Sequence, residues 1–262
     1  MRLRGSFVFV FLFASSALFA QTLRIATFSM ARLEDSPKRN YAVLAQIVRR
    51  FDLVGCIDVG APEGLARIMK YLGNEWTSFV SERPNGNGSL KEYYGFIWKS
   101  GKIRFAHSLG YFKDSNNLFA TKPYGAEFLT SNGDFTLILV HLSENVAPEA
   151  RHLGEVYEYF LGLVAAGNVI LGGDFNHVSS DQLDGFREAE NLTDAMDFDT
   201  RTVLGLHGPA LSSDHIFVNL FTRGSLREAG AYDYVPELGA GDYSKCRDTI
   251  SDHLPVYIEL RL

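Results

Sequence analysis

Asn168-Val169-Ile170-Leu171-Gly172-Gly173-Asp174-Phe175-Asn176 is the stretch whose reading decides the fold. Residues suited to a buried strand run into two glycines, and the chain then passes through an aspartate and an asparagine. A tight turn alone accounts for Gly, Asp and Asn in that order. The same arrangement recurs, however. Phe135-Thr136-Leu137-Ile138-Leu139-Val140 carries no charge and stops at His141, the run Phe51–Ile57 stops at Asp58, and Asp252-His253 precedes the strand-like Pro255–Leu260. Asp214 opens a further apolar run to Leu220. Singly, His141 reads as a hydrogen-bonded structural histidine and Ser251-Asp252-His253 as a capped turn. Together, polar residues at the ends of several apolar strands converge on one cleft if those ends share a sheet edge.

Working outward, Leu23–Phe28 is strand-like, Tyr41–Arg50 carries Val43, Leu44, Ile47 and Val48 at helical spacing, and Pro62–Leu72 is a second amphipathic helix with proline in its first turn. Trp76–Val80, Tyr93–Trp98 and Lys102–Ala106 read as strands, with Ser100-Gly101 as a hairpin turn between the last two. Pro148–Val164 reads as one helix and Asp181–Pro209 as irregular. The six-residue run before His141 has the composition of a strand buried on both faces. Helices interspersed among more numerous strands predict a layered α/β or α+β domain. No linker or repeat divides the chain, so residues 21–262 are read as a single domain.

The chain has 262 residues, 46% of them hydrophobic and 21% charged, enough to bury a sizeable core and to exclude global disorder. Its net charge of −6 excludes a polycation that holds nucleic acid by bulk charge. Arg2 and Arg4 precede an apolar run, Phe7–Phe13, which is followed by small residues up to Ala20. This is the pattern of a secretory signal over residues 1–20, with cleavage after Ala20, or after Ala17 as the rival. The run is too short to span a membrane. Export to the periplasm or the medium is therefore expected, without stable membrane insertion and as a monomer. A Cys56–Cys246 disulfide is permitted in that compartment, and nothing in the spacing requires it.

In this order along the chain, Leu23–Ser29, Gly172-Gly173-Asp174-Phe175-Asn176 and Ser251-Asp252-His253-Leu254-Pro255-Val256 resemble the opening strand, the GDFN motif and the closing SDHxPV motif of the endonuclease/exonuclease/phosphatase superfamily, whose fold is that of DNase I. The resemblance implies a four-layer α/β sandwich, two packed mixed β-sheets flanked by helices. It implies catalytic roles for His253 with its orienting carboxylate Asp214, for His141 with Glu92 behind it, and for Asp174 and Asn176, which polarise water and grip phosphate. It places Asp58, Asp252 and Ser29 at a site for Mg²⁺, with Ca²⁺ or Mn²⁺ as alternatives, and Lys122 on the substrate backbone. The activity implied is divalent-metal-dependent phosphodiester hydrolysis, with one His–carboxylate pair activating water, the other imidazole protonating the leaving oxygen, and DNA as the favoured partner.

Three positions depart from the family pattern. Ser29 stands for its asparagine, and Ile57-Asp58 for its Gln-Glu; aspartate keeps the hard oxygens but draws them back by roughly 1.5 Å. Gly60 stands where DNase I-like enzymes carry a groove-entering arginine, and Leu90 where they carry a tyrosine. Arg83, Lys91, Lys99, Lys102, Arg104 and Lys122 offset some of the acidity. Two other functions compete. A secreted sphingomyelinase would expose aromatic residues such as Tyr232 and Tyr234, or Trp76 and Phe79, although core packing explains these better. A binding protein on a degenerate nuclease fold would explain Ser29, Ile57 and Asp58.

Overall fold

The computed structural model describes residues 22–86, 91–165 and 167–262. The signal sequence expected over residues 1–20 lies outside them. The strands are β1 (Thr22–Ser29), β2 (Leu53–Val59), β3 (Trp76–Val80), β4 (Tyr93–Lys99), β5 (Arg104–Tyr111), β6 (Tyr124–Thr130), β7 (Gly133–His141), β8 (Asn168–Asp174), β9 (Thr193–Asp194), β10 (Val203–Leu204), β11 (Pro209–Leu211), β12 (Asp214–Val218), β13 (Leu226–Ala231) and β14 (Val256–Arg261). They form two six-stranded sheets, ordered β13-β14-β1-β2-β4-β3 and β5-β6-β7-β8-β12-β9, plus the small pair β10-β11. Both large sheets are mixed, since β1 runs parallel to β2 and β7 parallel to β8 while their other pairings are antiparallel. Helices α1 (Tyr41–Val48), α2 (Pro62–Leu72), α3 (Val146–Ala150), α4 (Leu153–Leu161) and α5 (Asp184–Glu190) complete the elements that matter here.

Three apolar layers hold these elements together. Ile25, Tyr94, Phe96, Phe128, Leu137 and Ile258 fill the space between the sheets. Phe28, Leu44, Ile47, Val54 and Ile68 pack α1 and α2 onto the first sheet, and Ile138, Val140, Leu153, Phe160 and Phe217 pack α4 onto the second. The charge-free run of β7 serves both sides: Phe135, Leu137 and Leu139 face the inter-sheet layer, and Ile138 and Val140 the helices. A strand with both faces buried has no position for a charge. The four-layer sandwich is therefore present as expected.

Several local expectations are corrected. Ser100-Gly101 is no hairpin turn, because β4 pairs with β2 and β3 while β5 pairs with β6 in the other sheet. The chain crosses between sheets there, drawn by the packing of Trp98 on Phe105 (ring centroids 5.8 Å) and by the buried carboxylate of Asp52. That carboxylate takes the ammonium groups of Lys99 and Lys102 at 3.0 Å each and the Arg24 N–H at 3.1 Å. The helix read over Pro148–Val164 is two, α3 and α4, parted at Arg151-His152. The region 181–209 contains α5, whose Phe186 is buried beside Leu183. Strands β6 and β13 and the short strands β9, β10 and β11 have no counterpart in the sequence pattern. Cys56 and Cys246 are buried free thiols.

Gly173, in the middle of the deciding stretch, cannot carry a side chain. Its φ is +153°, and a Cβ there would stand 1.9 Å from the Val140 carbonyl oxygen, on the strand that ends in His141. Gly173→Ala is expected to destabilise the protein by about 3 kcal/mol or more, through backbone strain and overpacking. Urea unfolding of the two proteins checks this, and an unshifted midpoint would contradict the close approach.

Candidate active site

The register of the second sheet assembles the site. His141 ends β7 opposite Asp174 at the end of β8, and Asp174 stands opposite Asp214 at the start of β12. Residues far apart in the chain thus become lateral neighbours on one face of one sheet edge. From the first sheet come His253, just before β14, Glu92, just before β4, and Asp58, near the end of β2.

Each imidazole is held by its own carboxylate. Glu92 accepts from His141 Nδ1 at 2.8 and 2.9 Å through its two oxygens. Asp214 Oδ2 accepts from His253 Nδ1 at 2.8 Å. The opposite ring nitrogens converge: Asp174 Oδ2 lies 3.9 Å from His141 Nε2 and 3.5 Å from His253 Nε2. The other oxygen of Asp174 is fixed by the Ser213 hydroxyl at 2.6 Å and the Asn176 N–H at 2.9 Å. Asn176 adopts φ +51°, which asparagine tolerates, and its amide nitrogen donates to the Leu142 carbonyl.

Burial and charge pull on these groups in opposite senses. Burial disfavours the imidazolium of His141, but the charge and hydrogen bond of Glu92, with Asp174 and Asp58, outweigh it and raise the pKa to about 10. Burial is likewise outweighed at His253 by Asp214, Asp174 and Asp252, again to about 10. Asp174 moves the other way. Its burial alone would raise it, yet the two imidazoles, the Ser213 hydroxyl and the Asn176 N–H hold it below the usual carboxylate range. Burial pushes Asp214 and Glu92 up.

A cavity of about 410 Å³ opens beside His141, lined by Asp58, Glu92, Asn176 and Arg32 among others. Asp58 occupies a β-bulge at φ +52°, between the paired positions Cys56 and Val59, and its Oδ2 accepts the Arg32 N–H at 2.6 Å. The negative charge of Asp58 adds to the burial that raises Glu92. Two facing carboxylates in a solvent-open cavity form a donor set suited to a hard divalent cation. In the buried interior, donor atoms of Asp174, Asp214 and His253 lie within 4.8 Å of one another, and Asp214 Oδ1 has no hydrogen-bond partner. There, however, His253 Nδ1 and Asp214 Oδ2 are already joined by a hydrogen bond, so the open corner at Asp58 suits an ion better.

The remaining sequence candidates are placed as follows. Asp252 is near enough to His253 for its charge to raise that imidazole. Ser29 is buried, and its carbonyl accepts the Ser251 hydroxyl at 2.7 Å. Lys122 donates to the Asp114 carbonyl at 3.2 Å and does not line the cavity, although Ala120 and Thr121 before it do. Ile57 is a core residue of the inter-sheet layer. Tyr234 and Trp76 are buried, Phe79 stacks on Phe105 and Tyr232 packs edge-on against Phe51, so core packing accounts for all four aromatic residues. Sequence reasoning missed Ser213, Thr202 and Arg32. Thr202 is fully buried; its hydroxyl accepts the N–H groups of Ser213 at 3.2 Å and Asp214 at 3.0 Å, and its carbonyl takes the Leu254 N–H at 2.7 Å. Ser213 was legible beside Asp214, whereas Thr202 sits in an irregular segment with no signal.

The chain matches no protein-family model. It is 25% identical over 275 residues to a deoxyribonuclease of Thioalkalivibrio sp. (strain K90mix), covering 97% of this chain and 75% of that protein. It is 27% identical over 272 residues to human deoxyribonuclease-1-like 1, covering 93% and 86% of the two chains. An endonuclease/exonuclease/phosphatase family protein from Bacteroides thetaiotaomicron superposes with a TM-score of 0.66 at 18% identity, over 92% of this chain and 98% of that one. D. rerio TDP2, complexed with a single-strand DNA product, does so at 0.68 and 15%, over 92% and 99%. At these identities the structural likenesses concern the fold.

Because both imidazoles have folded-state pKa values near 10, above the ordinary 6.5, the stability they add is complete below pH 6.5 and is lost as the pH climbs through about 10. In chelator, the thermal midpoint is expected to fall across that interval, and the ring resonances of His141 and His253 to stay in the imidazolium form at neutral pH. NMR titration midpoints near 6.5 would contradict this electrostatic picture.

Proposed function

From the premise that the chain is a member of the endonuclease/exonuclease/phosphatase superfamily, which its fold and its deoxyribonuclease-like relatives support, we infer that it is a hydrolytic phosphodiesterase acting on DNA. The observation that carries the reading is the convergence of two carboxylate-held imidazoles on Asp174, at 3.5 and 3.9 Å. A phosphodiester needs three services from such a site: stabilisation of the non-bridging oxygens, a base for water and an acid for the leaving oxygen.

The electrostatics distribute those services. Both imidazoles are protonated at neutral pH, so each can donate through Nε2, to a non-bridging oxygen or to the leaving oxygen. Asp174, kept ionised by its two neighbours, is the acceptor placed to orient water for in-line attack on phosphorus. The sequence reading assigned one histidine as base and the other as acid; the charge balance favours two donors around one carboxylate. Glu92 and Asp214 keep the Nδ1–H of each ring engaged and so aim Nε2 at the substrate. Asp58 and Glu92, the carboxylates that line the open cavity, would hold a divalent ion of the Mg²⁺, Mn²⁺ or Ca²⁺ type. Such an ion, when bound, screens charge on the non-bridging oxygens.

DNA is favoured over lipid because the four aromatic residues that the sequence offers for a membrane, Trp76, Phe79, Tyr232 and Tyr234, are buried or packed against other rings, and because the relatives that align along most of the chain are deoxyribonucleases. The intact imidazole–carboxylate pairs favour an enzyme over a binding protein. No helix among the described residues is long and apolar enough to cross a membrane. Export rests on the sequence of residues 1–20, a basic start followed by a short apolar run and small residues.

Purified protein, offered plasmid DNA with Mg²⁺ or Mn²⁺, should nick and linearise it, and chelator should stop the reaction. His253→Ala should lower turnover by at least about 10²-fold. Cleavage of sphingomyelin but not DNA, or undiminished activity in the variant, would overturn the assignment. Thr202→Val keeps the side chain's shape but removes the hydroxyl that fixes Ser213 and Asp214. It should lower kcat by about tenfold with little change in KM, the loss of one hydrogen bond at a positioning residue, and Thr202→Ser should restore activity. A KM effect alone would argue for a different role.

A further inference from the structure

The cavity beside His141 is lined by three carboxylates, those of Asp58, Glu92 and Glu144, and by one guanidinium, that of Arg32. A phosphodiester entering that surround is repelled by each carboxylate and is drawn by a fixed cation. Arg32 is firmly placed. Ala31 and Arg32 have φ +46° and +52°, a conformation that residues with a Cβ seldom adopt. The loop is latched there by Asp58, which accepts the Arg32 N–H at 2.6 Å on its side chain and the Leu33 N–H at 2.9 Å on its carbonyl, and by the Arg39 guanidinium, which donates to the Ala31 carbonyl.

The side chain then lies over Gly60. A Cβ at that position would stand 3.0 Å from Arg32 Cγ and 2.6 Å from Glu34 Cγ. The volume a larger residue at 60 would fill is taken instead by the Arg32–Glu34 pair, whose Nε–Oε1 separation is 3.2 Å with side chains 41% and 48% exposed. An ion pair so open to water is weak, whereas the planar guanidinium fork matches a phosphate with two charge-assisted hydrogen bonds.

We propose that Arg32 grips a backbone phosphate beside the one being hydrolysed, exchanging Glu34 for that phosphate as the nucleic acid docks. The proposal rests on the phosphodiesterase reading above and names what makes the site select polymers. A polynucleotide offers a second phosphate within reach of the loop, and a small aryl phosphodiester offers none. Glu34 is the competing anion that tempers capture of phosphate where no strand is seated.

Two variants and two readouts test this. Arg32→Asn removes the charge while keeping a residue that tolerates the left-handed conformation, and Glu34→Gln removes the competitor. In chelator, Arg32→Asn should bind a fluorescein-labelled DNA duplex about tenfold more weakly than the parent, with a log–log salt slope shallower by about 1. Glu34→Gln should bind about threefold more tightly. With metal present, kcat/KM of Arg32→Asn should fall at least about fivefold more on plasmid DNA than on bis(4-nitrophenyl) phosphate. Parent-like affinity and slope in Arg32→Asn would overturn the proposal, as would absence of duplex binding by the parent protein. Equal losses on both substrates would also overturn it, since they would assign the Arg32 side chain to the shape of the loop against Asp58 rather than to a second phosphate. If the parent hydrolyses neither substrate, the phosphodiesterase reading fails, and the duplex-binding comparison still decides whether Arg32 holds phosphate.

Discussion

A single buried carboxylate between two imidazoles governs this structure. Asp174 is 3% exposed, a location in which an isolated carboxylate would take up a proton. It stays ionised because His141 and His253 face it, and because Ser213 and the Asn176 N–H saturate its second oxygen. The imidazoles in turn stay protonated because Asp174 lies in front of them and Glu92 or Asp214 behind. Each charge is tolerable only in the presence of the others, so the site is one electrostatic unit and no member has an independent role.

Such a unit requires positional precision that loops alone do not provide, and the second sheet supplies it. Opposition of His141, Asp174 and Asp214 in register fixes their lateral spacing by strand pairing, and the close approach of Gly173 to the Val140 carbonyl sets how tightly β7 and β8 meet just before their functional ends. Burial of β7 on both faces prevents register slippage, since a one-residue shift would exchange the residues of the inter-sheet and helix-facing layers. Thr202 extends the same logic to the first sheet. One side chain binds the start of β12, and its backbone binds the segment after His253, so the partners Asp214 and His253 share a common anchor.

The legible part of this was the part carried by short, strongly patterned segments. Asp174, His141, Asp214 and His253 stood at the ends of apolar runs, and the motifs around them announced the superfamily. Helix α2 and strand β3 were bounded correctly because proline, periodicity and β-branched or aromatic composition agreed locally. What escaped was decided by distant contacts. The crossing at Ser100-Gly101 looks like a hairpin in sequence and becomes a change of sheet only through Asp52 and the aromatic packing of Trp98 on Phe105. Thr202 acts through a fold-back that no local pattern encodes, and Arg32 acquires meaning only where its loop meets Asp58 and Gly60.

The corner at Asp58 shows why a departure from a family pattern is not by itself a loss. Aspartate at position 58 is shorter than the glutamate expected there, and on a regular strand its oxygens would fall back from the cleft. It sits instead in a bulge with positive φ, a device that re-aims a side chain where strand pairing ends. The bulge is stabilised by the N–H groups of Arg32 and Leu33, and the charge of Asp58 is felt at Glu92 and His141. Backbone geometry thus compensates for side-chain length. The same latch that presents the carboxylate turns the Arg32 loop inward over a glycine, so the changes at positions 58 and 60 form one coupled rearrangement of the corner.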